Sequence, residues 1–311
     1  MTVIPAPTSA SPVDTATFGE YRINRKPHDA RPLYRFEGRI SNDGSTEFPA
    51  EAGRYHLYSG WFCPWAQRTV ITRSLAGLDD LISLSYVHGE RDGRGWAFRQ
   101  PTGPDPVNGF TLLRDAYDAT EARFDGHVSV PTLWDRARGV VVSNQFRTIG
   151  IDFATRFRHL ATPAVCTYPA RLAGEIEELD AWLGPAVNHG AHAAAGTDDA
   201  ARQARTTLRR AFADLDARLA TSRYLLGNVL TEADVRLWVT LVRFDAGPNA
   251  GRDIVDGLHE YPNLWAYARD LYSLPAFRDS TDFTSFTRPG AVVAGWDEPA
   301  HRGNDRPSSA A

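Results

Sequence analysis

Cys63-Pro64-Trp65-Ala66 stands directly between a strand pattern and a helix pattern, and no other stretch constrains the chain as much. Arg54–Ser59 (RYHLYS) has the aromatic and apolar content of a short strand. From Trp65 to Leu78, Val70, Ile71 and Leu75 mark one helical side together with Ala66, and Gly77 can close the helix. A thiol at that junction faces free backbone N–H groups and the positive end of the helix dipole. Both favour thiolate and pull the group below the ~8.5 of a free cysteine. Pro64 fits the first turn, where its missing N–H is not needed. Arg68, about one turn on, adds positive charge. Position 66 is alanine, so no resolving cysteine exists within the motif. A monothiol cycle, resolved by an external thiol, is the redox chemistry left to it. Cys166, in the stretch AVCTYP, has no helix-start or basic setting and reads as inert.

The elements around this junction set the fold class. Leu81–His88 is a second strand, residues 89–127 read as a Gly-, Asp- and Pro-rich insertion, and Ser129–Trp134 with Val140–Asn144 form a hairpin. A helix follows over about Phe146–Phe157. Pro131 falls at the start of the third strand, where proline is normally a demerit. In a thioredoxin-like sheet that position holds a cis-proline, which turns a backbone amide and carbonyl toward a bound thiol. From about residue 170 the texture becomes helical, over Arg171–Leu183, Asp198–Ala220, Glu232–Asp245 and Leu264–Leu274. Thr231-Glu232-Ala233-Asp234 is a capping-box start for the third of these, so Asp234 reads as a helix signal rather than a catalytic acid. The expected organisation is a tail and extension over 1–50, an α/β domain over 51–160 and an all-helical domain over 170–295. A linker near Ala161–Pro169 joins the domains, and a flexible tail covers 296–311. Within the extension, residues 1–20 read as loose.

Composition removes several function classes. The net charge of −4 argues against a nucleic-acid binder with a broad basic face. No apolar run approaches the ~18 residues of a transmembrane helix, and the first 30 residues show no apolar h-region of a secretory signal. With two cysteines and nine histidines at no ligand spacing, neither a disulfide framework nor a metal site is expected. A reducing, cytoplasmic setting follows. Lys26 is the only lysine among 34 basic residues, a bias that points to a GC-rich genome such as an actinobacterium's.

Gly53-Arg54-Tyr55-His56-Leu57-Tyr58 followed by Cys63-Pro64-Trp65-Ala66-Gln67-Arg68-Thr69 resembles the Xi-class glutathione transferases, the glutathionyl-hydroquinone reductases. The resemblance continues through Val130–Asp135, Arg223–Gly227, Leu230–Leu237, Arg243–Asp245 and Tyr261–Trp265, and so spans about residues 35–285. It implies a thioredoxin-like N-terminal domain followed by a helical glutathione-transferase C-terminal domain, usually as a homodimer. It also implies a cysteine nucleophile, here Cys63, that takes glutathione from a glutathionyl-hydroquinone as a mixed disulfide. By the same resemblance Pro64, Trp65, Trp96, the backbone of Val128, Pro131 and Asn144 line the thiol site.

The departures from the family bear on the ligand. Where the family has Arg before the valine, this chain has His127; where it has Glu-Ser after the asparagine, this chain has Gln145-Phe146. Charge-assisted hydrogen bonds are about twice as strong as neutral ones, so glutathione should be held weakly. A neutral polyol thiol such as mycothiol fits His127 and Gln145, with glutathione as the other candidate. A family tyrosine facing the substrate becomes His192, whose imidazole suits proton donation near neutral pH. The family's aromatic His-Tyr-Tyr segment becomes Phe286-Thr287-Arg288-Pro289. The expected enzyme removes a low-molecular-weight thiol from an aromatic, quinol-type conjugate. The alternatives are a non-catalytic binding module, or a C–S bond forming, cleaving or isomerising enzyme on the same fold.

Overall fold

A computed structural model of the chain describes residues 8–23, 30–293 and 295–298. The chain divides into two units, Met1–Ala164 and Val165–Ala311. The first contains α1 (Thr15–Phe18), β1 (Ile40–Ser41), β2 (Phe48–Pro49), β3 (Tyr55–Ser59), α2 (Pro64–Leu75), β4 (Ile82–Tyr86), α3 (Leu113–Thr120), β5 (Thr132–Asp135), β6 (Val140–Ser143) and α4 (Phe146–Arg156). β1 and β2 form a small parallel pair. The other strands make one sheet in the order β4-β3-β5-β6. β3 and β4 are parallel, and the β3–β5 and β5–β6 pairs are antiparallel. This is the thioredoxin-like arrangement expected from the sequence.

β3 is buried along its whole length, and its residues divide between the two faces of the sheet with the two-residue strand period. Tyr55 and Leu57 pack with Val70 of α2 and Ile149 and Phe153 of α4. Tyr58 packs on the other face with Phe98, Leu113, Tyr117 and Trp134. His56 is fully buried, its Nδ1 2.7 Å from Ser83 Oγ and its Nε2 2.8 Å from Ser85 Oγ. Burial, with Arg136 and Arg73 adding to it, lowers the imidazole from 6.5 to about 3. The unfolded chain therefore binds the extra proton between those limits. His56 supports the fold fully above pH 6.5, and that support is lost as pH falls toward 3, by about 1.4 kcal/mol per pH unit. Denaturant unfolding of His56→Gln should show a flatter acid limb than wild type between pH 7 and 5; parallel limbs would contradict this.

Three segments differ from the sequence expectation. Within the 89–127 insertion, α3 forms because Leu113, Ala116 and Tyr117 share a buried face, with Asp115 accepting from Leu112 N at 3.0 Å. The Gly and Pro around it hide this spacing. Residues 8–20 are held rather than loose. Ala10 N donates to Phe98 O, Asp14 N donates to the buried Asp92 carboxylate, and Arg94 reaches Ser11 Oγ and Pro12 O. Hydrogen bonds from Arg94, and then from the Asp14 backbone, keep the Asp92 carboxyl well below the usual range. At the other end, residues 295–298 do not start a tail, because Trp296 is buried against Trp265, Tyr272 and Trp238. The rest of that predicted tail, 299–311, lies outside the described residues.

The second unit is helical: α5 (Ala173–Leu183), α6 (Gly190–Ala194), α7 (Asp199–Leu219), α8 (Glu232–Phe244), α9 (Pro262–Tyr272) and α10 (Pro275–Arg278). Every residue of α8 is buried, which makes it the core helix. Its capping box is formed: the Thr231 N–H donates to Asp234 Oδ2 at 2.8 Å. The same carboxylate accepts from Leu225 N and Tyr267 Oη, so Asp234 ties α8 and α9 to the preceding turn. Its carboxyl is raised by burial, against those donors.

Candidate active site

The first unit gathers the candidate thiol-site residues around the N-terminus of α2. Cys63 is the N-cap residue, Pro64 is the first helical residue, and the half-buried thiol points to Val130 O at 3.7 Å. The Val130–Pro131 bond is cis, and β5 begins at the next residue. The loop is shaped from behind. The Tyr117 hydroxyl donates to Ser129 O at 2.9 Å, and Thr132 Oγ1 donates to the same carbonyl at 2.6 Å. Val128, Val130 and Ala66 belong to one buried cluster, against which Cys63, Phe62 and Trp96 pack.

Two stacked aromatic pairs include residues that precede and follow Cys63 in the chain. Trp65 stacks on Phe146 at 5.2 Å, and the buried Arg68 guanidinium lies 4.5 Å from the Trp65 ring and 5.5 Å from Phe146. Both are cation–π contacts, each contributing about 0.5–2 kcal/mol. Phe62 stacks on Trp96 at 4.3 Å. Asn144 is buried beside the Tyr117 hydroxyl, and its backbone N–H donates to Phe36 O. Gln145 occupies the N-cap position of α4 without a side-chain capping bond, and its amide donates to Glu37 Oε1 at 3.2 Å and Tyr34 O at 3.4 Å.

His127 is half-buried between two tyrosines. Tyr21 Oη lies 3.3 Å from Nδ1, and the Tyr34 ring sits edge-on at 5.3 Å. Burial, and then the Arg91 charge, lower its imidazole, so it is neutral at pH 7. Burial, and then the Cys63 charge, raise the Tyr34 phenol. Sequence reasoning missed Tyr21, Tyr34, Glu37, Phe62, Arg91 and Tyr117 as site residues. Most belong to the segments read as extension and insertion, and no motif marks them. The extension reaches the site as an added edge: Glu37 bridges Ser143 in antiparallel fashion, and Gly38 N donates to Val142 O.

His192 belongs to the second unit, where it lies exposed within α6 rather than in an open connection. Just before α6, Asn188 accepts from Thr240 Oγ1 at 2.7 Å. Phe286 lies under the Arg243 guanidinium at 4.3 Å. Among the described residues no group of His, Cys, Asp and Glu is arranged to hold a metal ion, and no helix is long and apolar enough to cross a membrane.

A thioredoxin-like unit with a cysteine at its first helix and a cis-proline opposite, followed by a helical unit, defines a glutathione transferase. The comparisons place it within that class. Residues 198–270 match the glutathione S-transferase C-terminal domain family. The chain is 37% identical to the glutathionyl-hydroquinone reductase YqjG of Escherichia coli, over 79% of this chain and 77% of that protein. The glutathione-bound structure of that E. coli homologue superposes with a TM-score of 0.79 at 33% identity, covering 86% of this chain and 96% of the other. A Xi glutathione transferase from Phanerochaete chrysosporium superposes with a TM-score of 0.76 at 34% identity, covering 82% and 90%. The chain belongs to the Xi-class glutathione transferases, the family of the glutathionyl-hydroquinone reductases. It is therefore an enzyme of the glutathione-transferase type, a thiol-dependent reductase or transferase.

Proposed function

We propose that the protein removes glutathione from S-conjugated aromatic compounds of the quinol type through a mixed disulfide on Cys63. The observation that carries this reading is the half-buried Cys63 thiol at the α2 N-terminus, opposite cis-Pro131. The Cys63 thiolate attacks the sulfur joining the small thiol to the ring. As the S–S bond forms the C–S bond breaks, and its electron pair leaves with the ring, which takes up a proton and departs as the quinol. A second thiolate then attacks the sulfur bound to Cys63, which returns as thiolate while the small thiol leaves as its disulfide. The ring is reduced by the two electrons that the thiols give up. This reading assigns His192 to the aromatic part of the substrate and carries a homodimer in a reducing, cytoplasmic setting.

Glu37 supports glutathione as the thiol. The carboxylate missing at position 145 is present 3.2 Å from the Gln145 amide, where it can meet an ammonium group. The neutral His127 and the apolar Phe146 favour mycothiol as the second reading. Resolution of a preformed Cys63 mixed disulfide separates them: glutathione should release Cys63 at least about tenfold faster than mycothiol at equal concentration, given about 1.5–3 kcal/mol for a charged contact. The opposite order would establish mycothiol.

A further inference from the structure

Arg91 is half-buried in the loop between β4 and α3, and among the described residues no acidic side chain pairs with its charge. Its guanidinium carbon lies 4.3 Å from the Tyr21 ring centroid and 4.4 Å from that of Trp96. No carboxylate among the described residues pairs with it. Neighbouring charges are otherwise well answered: Asp92, the next residue, is taken up by Arg94 and Arg99. The two rings engage the guanidinium faces and leave its N–H edge as a planar fork. Such a fork, fixed by packing, matches an acidic oxygen pair without further ordering.

The fork is built into the thiol site. Trp96 stacks on Phe62, the residue before Cys63. Tyr21 holds His127, at the start of the segment that leads to Val130 and the Cys63 contact. We propose that Arg91 binds an acidic oxygen of the ligand held at Cys63: the glycyl carboxylate of glutathione or the phenolic oxygen of the aromatic part. The proposal rests on the reading of Cys63 given above.

Four thioether ligands test it by calorimetric titration: S-methylglutathione, its glycyl ethyl ester, S-phenylglutathione and S-(4-hydroxyphenyl)glutathione. Each is titrated into wild type, Arg91→Met and Arg91→Lys. Methionine keeps the packing between the rings without the charge, and lysine keeps the charge without the fork. If the partner is the carboxylate, esterification weakens wild type about tenfold or more and leaves Arg91→Met indifferent. If it is the phenolic oxygen, wild type prefers the hydroxyphenyl ligand and Arg91→Met loses that preference. Arg91→Lys falls between the two in either case. Arg91→Met binding all four ligands within twofold of wild type overturns the proposal, as does wild type binding none. The Cys63 mixed disulfide is read separately by mass, so failure here is distinguishable from failure of the Cys63 reading.

Discussion

Cys63→Ser loses quinol release by a factor on the order of 10³ or more, with an unchanged melting temperature. The effect is large because the proposed cycle has one nucleophile: position 66 is Ala, and Cys166 stands at no helix start. The fold is spared because the thiol is half-buried and its contact to Val130 O is long, at 3.7 Å. The hydroxyl that replaces it keeps the N-cap position, where serine is favoured. Stopped assays of quinol release beside thermal melts read both quantities. Cys166→Ala should keep activity within twofold. Comparable losses from the two variants would contradict a monothiol cycle.

Arg236→Met destabilises the second unit by about 3–5 kcal/mol. Arg236 is 1% exposed on α8, with Glu177 Oε1 at 3.1 Å, Asp180 Oδ2 at 3.4 Å and Glu232 Oε1 at 3.8 Å. Asp180 and Glu232 are each 2% exposed, so removing the guanidinium takes its positive charge away from two buried carboxylates. A buried carboxylate deprived of a nearby cation costs more charged than protonated. The variant's deficit should therefore grow as pH rises above the carboxylate range and shrink as it falls toward 4. Denaturant unfolding at pH 5 and pH 8 reads this. An equal deficit at both, or one below about 1 kcal/mol, would show that the cluster is not the buried anchor described.

The sequence carried the parts of this molecule that depend on local signals. The strand-cysteine-helix junction, the hairpin around Asp135–Gly139, the capping box at Thr231 and the long α7 follow from spacing and capping, and each formed where expected. Of the candidate site, the placement of Cys63, Pro64, Trp65 and Pro131 was legible because helix and strand ends fix their environment. Tyr21, Tyr34, Glu37 and Arg91 were not. They reach the site through segments without periodicity, and the contacts that hold those segments, such as Asp14 N to Asp92 and His127 N to Leu33 O, join residues 78 and 94 positions apart. Gln145 shows the consequence. Read alone it is a lost charge; beside Glu37 it is one half of a polar pair.

Intact-protein mass measurement after mixing with a glutathionyl-hydroquinone, in the absence of free thiol, tests the central claim most directly. The account predicts one glutathione added to the chain, located on Cys63 by peptide mapping, removed by added glutathione, and accompanied by an equal amount of free quinol. An adduct carrying the aromatic ring, a thiol adduct on Cys166, or quinol release with Cys63 left unmodified would contradict it.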